Sequence, residues 1–498
     1  MTLLSKTKYL AGRQCPKRLW LGVHSPELGS YDTATTQRLD TGSEIGRRAH
    51  ELFPGGLLVE HDGEGHQDAV TQTVNLLAQP SVPAIFEAAF THAGVRVRVD
   101  VLERLPDGAW GLREVKSTSG VREVHLHDVT VQRFVLEGSG LRVPSVEVIH
   151  VDTSYVRGDA AIDWRGFFRR ADVTAMVEPL RQGLPERVDG LHAVLARSEC
   201  PTVEPSRHCF SPYGCEFWTY CTQGKPADWI FHLHGRSRFE ALRALGIERI
   251  VDIPDDFPLT GRQQRMRDVL RSGEEYVSPD LDTALAILGP PTAYLDFETM
   301  NPAIPLYPST RPYQRIPFQW SLHQLGTDGA VVHREYLADG RADPRPEFVA
   351  SLLAALGDSR EPIAVYSGFE GSVLDDLATV VPSEAGALAG LWYRLVDLLP
   401  IVRTHTYHPA FEGSFSVKAV APALAPGFSY DDLEGISDGN AASDAFLAIA
   451  QGAAADETAL RRALLAYCER DTLAMVELHR ALRRRAGSAT TGRNDRRR

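Results

Sequence analysis

Residues 292–298 read TAYLDFE, an apolar run that continues directly into two carboxylates. The run predicts a β-strand, and residues two apart on a strand point to the same side. We therefore expect Asp296 and Glu298 to emerge together at the end of this strand. Neighbouring carboxylates repel each other unless cations lie between them, and two Mg²⁺ or Mn²⁺ ions would supply that charge. The alternative is an ordinary pair of solvated acids.

A second acidic motif lies towards the end of the chain, where residues 467–471 read YCERD. The apolar pattern around it predicts a helix over 459–482, on which Tyr467 and Asp471 share a face because they are one turn apart. Asp471 would complete a metal site while the tyrosyl hydroxyl orients the attacking water. Strand and helix patterns alternate over residues 291–485, which indicates an α/β domain.

In this order the motifs resemble the tyrosine-bearing branch of the DEDD exonuclease superfamily. The resemblance implies a ribonuclease-H-like fold and a 3′–5′ exonuclease whose metal ions activate water against a terminal phosphodiester. Glu370, after an apolar strand at 363–366, takes the place of a motif that is usually N-x-x-F-D, so the metal spacing is expected to differ. Asp444 is a weaker extra carboxylate, and Asp397 is expected to be structural. An inactive scaffold of the same fold is the alternative.

The N-terminal part carries a different set of polar residues. Asp100 lies on an alternating strand pattern at 95–102, and Glu114 and Lys116 share a face of the next predicted strand. This spacing resembles the PD-(D/E)xK nucleases, and Gln132, on the following amphipathic helix, resembles their RecB-like branch. The resemblance implies that both acids hold Mg²⁺ while the lysine polarises water. His50 would match the upstream histidine of that branch, although a helical histidine is also commonly a half-exposed side chain.

Cysteines crowd at the end of this part, with a single one far upstream. Cys15, Cys209, Cys215 and Cys221 resemble the ligands of the iron–sulfur nucleases in the RecB-like branch. The resemblance implies a [4Fe–4S] cluster that joins the N-terminal helix to the end of the domain. The spacing departs from the commoner C-x2-C-x5-C, which leaves Cys200 as a substitute ligand. Zn²⁺ is the alternative metal, and four reduced, unliganded thiols are the remaining alternative.

Taken end to end, the chain resembles a bacterial family defined by a domain of unknown function, number 2779. The stretches behind this resemblance are residues 14–19, 407–416 and 467–475. It implies that a RecB-like iron–sulfur half is joined to a ribonuclease-H-like half. The expected fold class is α/β, with four regions: a restriction-endonuclease-like domain at 1–224, a helical connector at 225–290, a DEDD domain at 291–485 and a basic disordered tail at 486–498.

The composition and net charge of the chain argue against some classes of protein. The net charge of −12 argues against a protein that coats nucleic acid by charge alone, but not against a nuclease with acidic metal sites. No apolar run of membrane-spanning length and no leader are found, so we expect a cytoplasmic chain without membrane contact. The prediction is a metal-dependent nuclease acting on DNA or RNA, with single-stranded ends as the expected substrate. A non-catalytic nucleic-acid-binding protein is the first alternative, and a thiolate-metal redox protein is the second.

Overall fold

The computed structural model describes residues 3–30, 33–60, 65–235 and 237–495, and its contacts divide the chain into two compact units. The first unit consists of Met1–Gly224 and Pro302–Gln314, and the second of Lys225–Asn301 and Arg315–Arg498. Two segments therefore differ from the regions expected from sequence. Residues 225–290, expected to form a separate connector, belong to the second unit. Residues 302–314, expected to lie in the DEDD domain, belong to the first unit.

The first unit is a mixed α/β structure. Its strands are β1 (Leu4–Ser5), β2 (Leu57–Leu58), β3 (Ala84–His92), β4 (Val95–Arg104), β5 (Trp110–Lys116), β6 (Ser145–Val151) and β7 (Phe168–Asp172). Its α-helices are α1 (Lys6–Gln14), α2 (Pro16–His24), α3 (Thr33–Ala49), α4 (His66–Leu77), α5 (Glu123–Gly138), α6 (Trp164–Phe167), α7 (Thr174–Val177), α8 (Leu184–Leu195) and α9 (Trp218–Thr222). Short 3-10 helices lie at Pro26–Leu28, His50–Leu52, Pro179–Arg181 and Arg207–Phe210.

The seven strands of this unit form one sheet in the order β2-β3-β4-β5-β6-β7, with β1 paired in parallel to β4. The pairs β3–β4, β4–β5 and β6–β7 are antiparallel, and β5–β6 is parallel. Helix α5 connects the parallel pair, as a crossover between parallel strands requires. The alternation at 95–102 is confirmed as β4, whose valines at 95, 97 and 99 are buried in the core that α5 covers.

The second unit is also mixed α/β. Its strands are β8 (Tyr276–Val277), β9 (Thr292–Met300), β10 (Ile316–Leu325), β11 (Val331–Leu337), β12 (Ile363–Val365), β13 (Leu395–Asp397) and β14 (Thr406–Tyr407). Its α-helices are α10 (Phe239–Ala244), α11 (Gly261–Ser272), α12 (Leu281–Leu285), α13 (Arg345–Leu356), α14 (Phe369–Val380), α15 (Ala385–Trp392), α16 (Leu398–His405), α17 (Val417–Leu424), α18 (Gly439–Ala450) and α19 (Glu457–Asp495). Short 3-10 helices lie at Ile230–His232, Ile250–Asp252, Pro382–Glu384 and Pro409–Phe411.

Five of these strands form a sheet in the order β11-β10-β9-β12-β13. The pairs of β10 with β11 and with β9 are antiparallel, and β12 is parallel to β9 and to β13. Leu295 and Phe297 of β9 pack on one face with apolar residues of α13, α14 and α15. Tyr294 lies on the opposite face with Met475 and Val476 of α19. The sheet is therefore covered by helices on both faces.

Two local expectations need correction. Strand β9 continues to Met300 because it pairs with β10 as far as Ile316, so Asp296 and Glu298 lie within the strand and not at its end. Helix α19 runs to Asp495 and so occupies most of the stretch expected to be a disordered tail, while residues 496–498 lie outside the described part. None of the described helices combines the length and hydropathy needed to cross a membrane.

Candidate functional site

The first acidic cluster to consider is centred on β9. Asp296 and Glu298 point to the same face of the sheet as Tyr294, the face on which α19 packs. Glu298 is buried and Asp296 is half-buried. The Cys468 thiol of α19 lies 3.6 Å from Asp296 Oδ2, which makes this cysteine a close neighbour of the acidic pair. Asp296, Glu298 and Cys468 each offer a ligand atom, and these atoms lie within 4.8 Å of one another.

Glu370 and Asp471 complete this cluster from two helices. Glu370 is the second residue of α14, is buried, and has one carboxylate oxygen without a hydrogen-bond partner among the described residues. Burial raises its pKa to about 7, and Asp397 adds to the rise while a hydrogen bond with Asp296 opposes it. Burial followed by the charge of Asp471 raises the pKa of Glu298 to about 8. Burial and the neighbouring carboxylates also raise the pKa of Asp296.

Tyr467 and Asp471 are on one face of α19, as expected from their spacing, and both are buried. The hydroxyl of Tyr430 donates a hydrogen bond of 2.8 Å to Asp471 Oδ1. The Lys418 ammonium donates to the Tyr467 hydroxyl at 2.9 Å and to the Ser437 carbonyl at 2.5 Å. Burial and the charge of Asp471 raise the pKa of Tyr467, so its phenol keeps its proton.

The other two acids considered from sequence have different positions. Asp397 caps α16, because its side chain accepts a hydrogen bond of 2.9 Å from the backbone N–H of Leu399. Its charge reaches Glu370, whose pKa it helps to raise. Asp444 lies within α18, and the N-cap of that helix is Asp438. Asp444 is therefore not a capping residue.

A second acidic cluster lies in the first unit, around β4, β5 and α5. Asp100 accepts a hydrogen bond of 2.7 Å from the backbone N–H of Val115. Lys116 Nζ lies 2.6 Å from Glu114 Oε1 on the same strand. Lys6, from α1, lies between the two acids, with its ammonium 2.9 Å from Glu114 Oε1 and 3.4 Å from Asp100 Oδ1. An internal ammonium thus bridges the two carboxylates.

Helix α5 contributes an acid and an amide to this second cluster. Asp128 Oδ2 lies 2.6 Å from Lys116 Nζ. The Gln132 side-chain amide donates to Glu114 Oε2 at 2.7 Å and to Asp128 Oδ1 at 3.0 Å. Glu114 therefore accepts from Lys6, Lys116 and Gln132 while being completely buried.

The pKa values of the two main acids of this cluster, Glu114 and Asp100, are shifted in opposite directions. Burial alone would raise the pKa of Glu114, but Lys116 and Lys6 outweigh it and hold the pKa well below its usual range. Burial and the charge of Glu114 raise the pKa of Asp100 to about 7, against the opposing effect of Lys6. His50 stands apart from this network: its ring stacks on Phe86 at a centroid distance of 3.9 Å.

The cysteines of the first unit come together around one cavity. Cys15, Cys209, Cys215 and Cys221 all line it, together with Lys17 and Arg18. Cys200 is outside the lining, but its thiol interacts electrostatically with those of Cys15 and Cys221. No three of these sulfur atoms, all of which belong to described residues, lie within 4.8 Å of one another. The thiols are therefore gathered but not tightly clustered.

Four residues of these sites were missed by sequence reasoning. Lys6 and Asp128 in the first unit and Lys418 and Tyr430 in the second have no local motif of their own. Only Asp128 had a usable signal, because it lies one helical turn before Gln132 and so shares its face.

Comparison with known proteins adds one match. Residues 293–416 match the model of a family described as a domain of unknown function, DUF2779. The matched segment contains Asp296, Glu298 and Glu370 and ends before Tyr467 and Asp471. The resemblance expected from sequence is supported over this segment. A comparison with curated proteins gives no match to the chain.

Proposed function

We propose that this protein is a metal-dependent nuclease whose second unit removes nucleotides from the 3′ ends of DNA or RNA strands. The observation that carries the proposal is the convergence of four acids from a strand and two helices: Asp296, Glu298, Glu370 and Asp471. Burial raises the pKa of each of them, and repulsion by neighbouring carboxylates of the cluster adds to the rise for Asp296 and Glu298. Such repulsion is tolerated in a fold when a cation binds there and removes it.

The sheet of the second unit supports a ribonuclease-H-like fold for this site. Its order β11-β10-β9-β12-β13, with only β10 antiparallel to its neighbours, places the first strand of the sheet at the centre. The acids follow in the order of the DEDD motifs: two on the central strand, one at the start of α14 and one on α19. Both the topology and the order of the acids are those that the resemblance implies.

The donors in this cluster fit Mg²⁺ or Mn²⁺. All four acids offer oxygen ligands, which these hard ions prefer, and Glu370 has a buried oxygen that lacks a protein partner among the described residues. Asp296, Glu298, Glu370 and Asp471 would hold the ions. Bound metal ions supply an activated water and neutralise charge that develops on the phosphate.

The chain's own residues beside the acids have distinct roles in this proposal. Tyr467 keeps its proton, and its hydroxyl is hydrogen-bonded to Asp471. In this proposal the hydroxyl orients a water or a phosphate oxygen beside that acid. Lys418 fixes the position of that hydroxyl and brings a positive charge close to where a phosphate would bind. Tyr430 orients Asp471 through its hydrogen bond.

The residue types in the first unit support a PD-(D/E)xK assignment. The distribution of charge around its acids does not. Strands β3 to β6 and helix α5 have the arrangement expected for a restriction-endonuclease-like core, with the acids and Lys116 on adjacent strands. The Lys6 ammonium, however, already lies where an ion between Asp100 and Glu114 would bind. While Lys6 is there the site does not fit a divalent ion, and this favours a nucleic-acid-binding role without catalysis for this unit.

The thiols of the first unit fit a four-iron cluster better than a zinc ion. A tetrahedral zinc site with bonds of about 2.3 Å brings its sulfur atoms to about 3.8 Å from one another. No three of the observed sulfur atoms lie within 4.8 Å of one another, and a [4Fe–4S] cluster, being a larger body, holds its thiolates further apart than a zinc ion does. Cys15, Cys209, Cys215 and Cys221 would be the ligands. Iron and zinc analysis of protein purified without oxygen distinguishes the two metals.

The proposal is tested with single- and double-stranded DNA and RNA that carry a label at the 5′ or the 3′ end. With Mg²⁺ or Mn²⁺, we expect early release of the 3′ label as a mononucleotide and a shortening ladder from the 5′-labelled strand. A metal chelator should abolish both signals. Binding to the same strands without any degradation, under all metal conditions, would contradict the proposal and favour a non-catalytic nucleic-acid-binding protein.

A further inference from the structure

A second group of metal-ligating side chains lies on the sheet of the second unit, apart from the four acids. His323, His333 and Glu469 each offer one ligand atom, and these three atoms lie within 4.8 Å of one another. They come from three different elements, β10, β11 and α19. Glu469 lies between Tyr467 and Asp471 in sequence, but two residues along a helix turn the side chain by about 200°, so it points away from the acidic cluster.

The fold brings the two histidines together directly. His323 and His333 are cross-strand partners in the register of β10 and β11, and their rings stack with centroids 4.5 Å apart. His323 is buried, whereas His333 is half-buried and Glu469 is exposed. One side of the group is thus fixed in the protein and the other is accessible to an ion from solvent.

Each imidazole is held at one nitrogen by a hydroxyl group. His323 Nδ1 lies 2.8 Å from Thr472 Oγ1, and His333 Nε2 lies 2.9 Å from Ser321 Oγ. The two hydroxyls are themselves 2.8 Å apart, so a single polar network orients both rings. This leaves His323 Nε2 and His333 Nδ1 as the available nitrogens, and His333 Nδ1 is the one 3.6 Å from the Glu469 carboxylate. Metal-binding histidines are characteristically oriented through their second nitrogen in this way.

A fourth donor is close by. Glu335 lies two residues after His333 on β11, so the two side chains share a face of the strand. Its carboxylate interacts electrostatically with both His333 and Glu469. Two imidazoles and two carboxylates are therefore gathered on the face of β10 and β11 on which α19 packs, with His323 buried and both carboxylates exposed.

We propose that His323, His333 and Glu469, with Glu335 as a fourth ligand, bind one divalent transition-metal ion of the Zn²⁺ class. Two nitrogen and two oxygen donors suit Zn²⁺ better than Mg²⁺, which prefers oxygen donors alone. Zinc bonds of about 2.0–2.2 Å require donors about 3.4 Å apart. The pair of His333 Nδ1 and Glu469 is already at 3.6 Å, and the pairs that each makes with His323 lie within 4.8 Å, so any approach they need is small. The half-buried His333 and the exposed Glu469 can turn towards the ion, which opens the ring stack.

The bound ion would tie α19 to the edge of the sheet. His323 and His333 belong to neighbouring strands, and Glu469 belongs to the helix that also carries Tyr467 and Asp471. An ion shared among them would hold this part of α19 in place. The metal-site proposal does not rest on the proposed nuclease function, since none of its ligands belongs to the four-acid cluster.

The test measures Zn²⁺ binding to the full-length protein by calorimetric titration, with excess Mg²⁺ present to occupy the carboxylate cluster. His333→Ala and Glu469→Gln are compared with the wild type, and His408→Ala, which removes another half-buried histidine of the same unit, is the matched control. We expect the two ligand variants to bind one Zn²⁺ fewer, or to bind it roughly 100-fold more weakly or worse. The control should bind as the wild type does.

Thiol sites also bind Zn²⁺, so Co²⁺ serves as a second probe. Co²⁺ at a nitrogen and oxygen site gives weak visible bands without the intense thiolate charge-transfer absorption of a cysteine site. We expect His333→Ala to remove only the weak bands. Thermal melts without added metal check that each variant is folded. Equal Zn²⁺ stoichiometry and affinity in wild type, His333→Ala and Glu469→Gln would overturn the proposal and leave a stacked histidine pair with a structural role.

Discussion

The two acidic clusters of this protein contain similar groups but are balanced by different charges. In the first unit, Asp100, Glu114 and Asp128 surround the ammonium groups of Lys6 and Lys116, which donate to them directly. The negative charge is thus largely compensated within the protein. Glu114 stays ionised far below neutral pH, whereas the pKa of Asp100 is raised.

The second unit places four acids together with one lysine nearby. That lysine, Lys418, donates its described hydrogen bonds to the Tyr467 hydroxyl and the Ser437 carbonyl rather than to a carboxylate. The pKa of every acid in the cluster is raised. The comparison teaches that the arrangement of acids alone does not define a metal site. An acidic cluster demands a metal ion only where the fold leaves its charge uncompensated.

The largest expected effect is on activity. Asp296→Asn removes a metal ligand from the uncompensated cluster, and release of a 3′ label should fall on the order of 1,000-fold, because bound metal contributes several kcal/mol to transition-state stabilisation. Asp375→Asn, an exposed acid on α14, is the matched control and should retain full activity. Wild-type rates in Asp296→Asn would mean that this cluster is not the catalytic site.

The next effect is on stability and should have opposite consequences in the two clusters. Glu114→Gln removes a buried carboxylate that two partly exposed ammonium groups share and leaves them only Asp100 and Asp128, so the free energy of unfolding should fall by about 1.5–3 kcal/mol. Glu298→Gln removes one of several repelling carboxylates, so metal-free protein should keep its stability or gain some. Urea unfolding with a metal chelator present measures both variants. An equal loss of unfolding free energy in both variants would mean that the two clusters do not differ in charge compensation.

The pH dependence of the stability of metal-free protein tests the same comparison between the two clusters. Glu298 and Glu370 have an ordinary pKa of 4.5, raised on folding to about 8 and about 7. Between these values the folded state binds more protons than the unfolded state, so stability is fully present below pH 4.5 and is lost as pH rises through 7 and 8. The slope should reach at most about 1.4 kcal/mol per pH unit for each group.

This slope can be assigned to its cluster by substitution and by metal. Glu298→Gln and Glu370→Gln should each flatten the pH profile of stability measured by urea unfolding. Saturating Mn²⁺ should flatten it as well, because bound metal favours the ionised carboxylates. Asp100, whose pKa is raised from 3.8 to about 7, contributes a slope of the same sign from the first unit, which should persist in both variants. A profile that is unchanged by either substitution would contradict the raised pKa values.

Much of the second cluster could be predicted from sequence because its information is local. The spacing of Asp296 and Glu298 on a strand, and of Tyr467 and Asp471 on a helix, places each pair on one face without knowledge of the fold. The extent of β9 could not be predicted in this way. It depends on pairing with β10. In the chain, β10 is separated from β9 by residues 302–314, which belong to the other unit.

The charge balance of the first cluster could not be predicted because it depends on distant residues. Lys6 is separated by 94 residues from Asp100 and by 108 from Glu114, and its helix follows β1, a two-residue strand that pairs with β4. Such a short strand carries no periodicity. The acids and Lys116 were identified from their motif, but the motif says nothing about a second ammonium that changes what the acids can bind.

The smallest expected effect concerns that ammonium. Lys6→Met removes the cation between Asp100 and Glu114 while keeping a side chain of similar length, so a divalent ion no longer competes with it. In a background with Asp296→Asn and Asp471→Asn, where the second cluster is disabled, Mn²⁺ affinity measured by calorimetry should rise roughly tenfold, or about 1.4 kcal/mol. Lys8→Met, on the same helix, is the matched control and should leave the affinity unchanged. An unchanged affinity in Lys6→Met would show that Lys116 and Gln132 already satisfy the acids, and that the compensation of this cluster does not depend on α1.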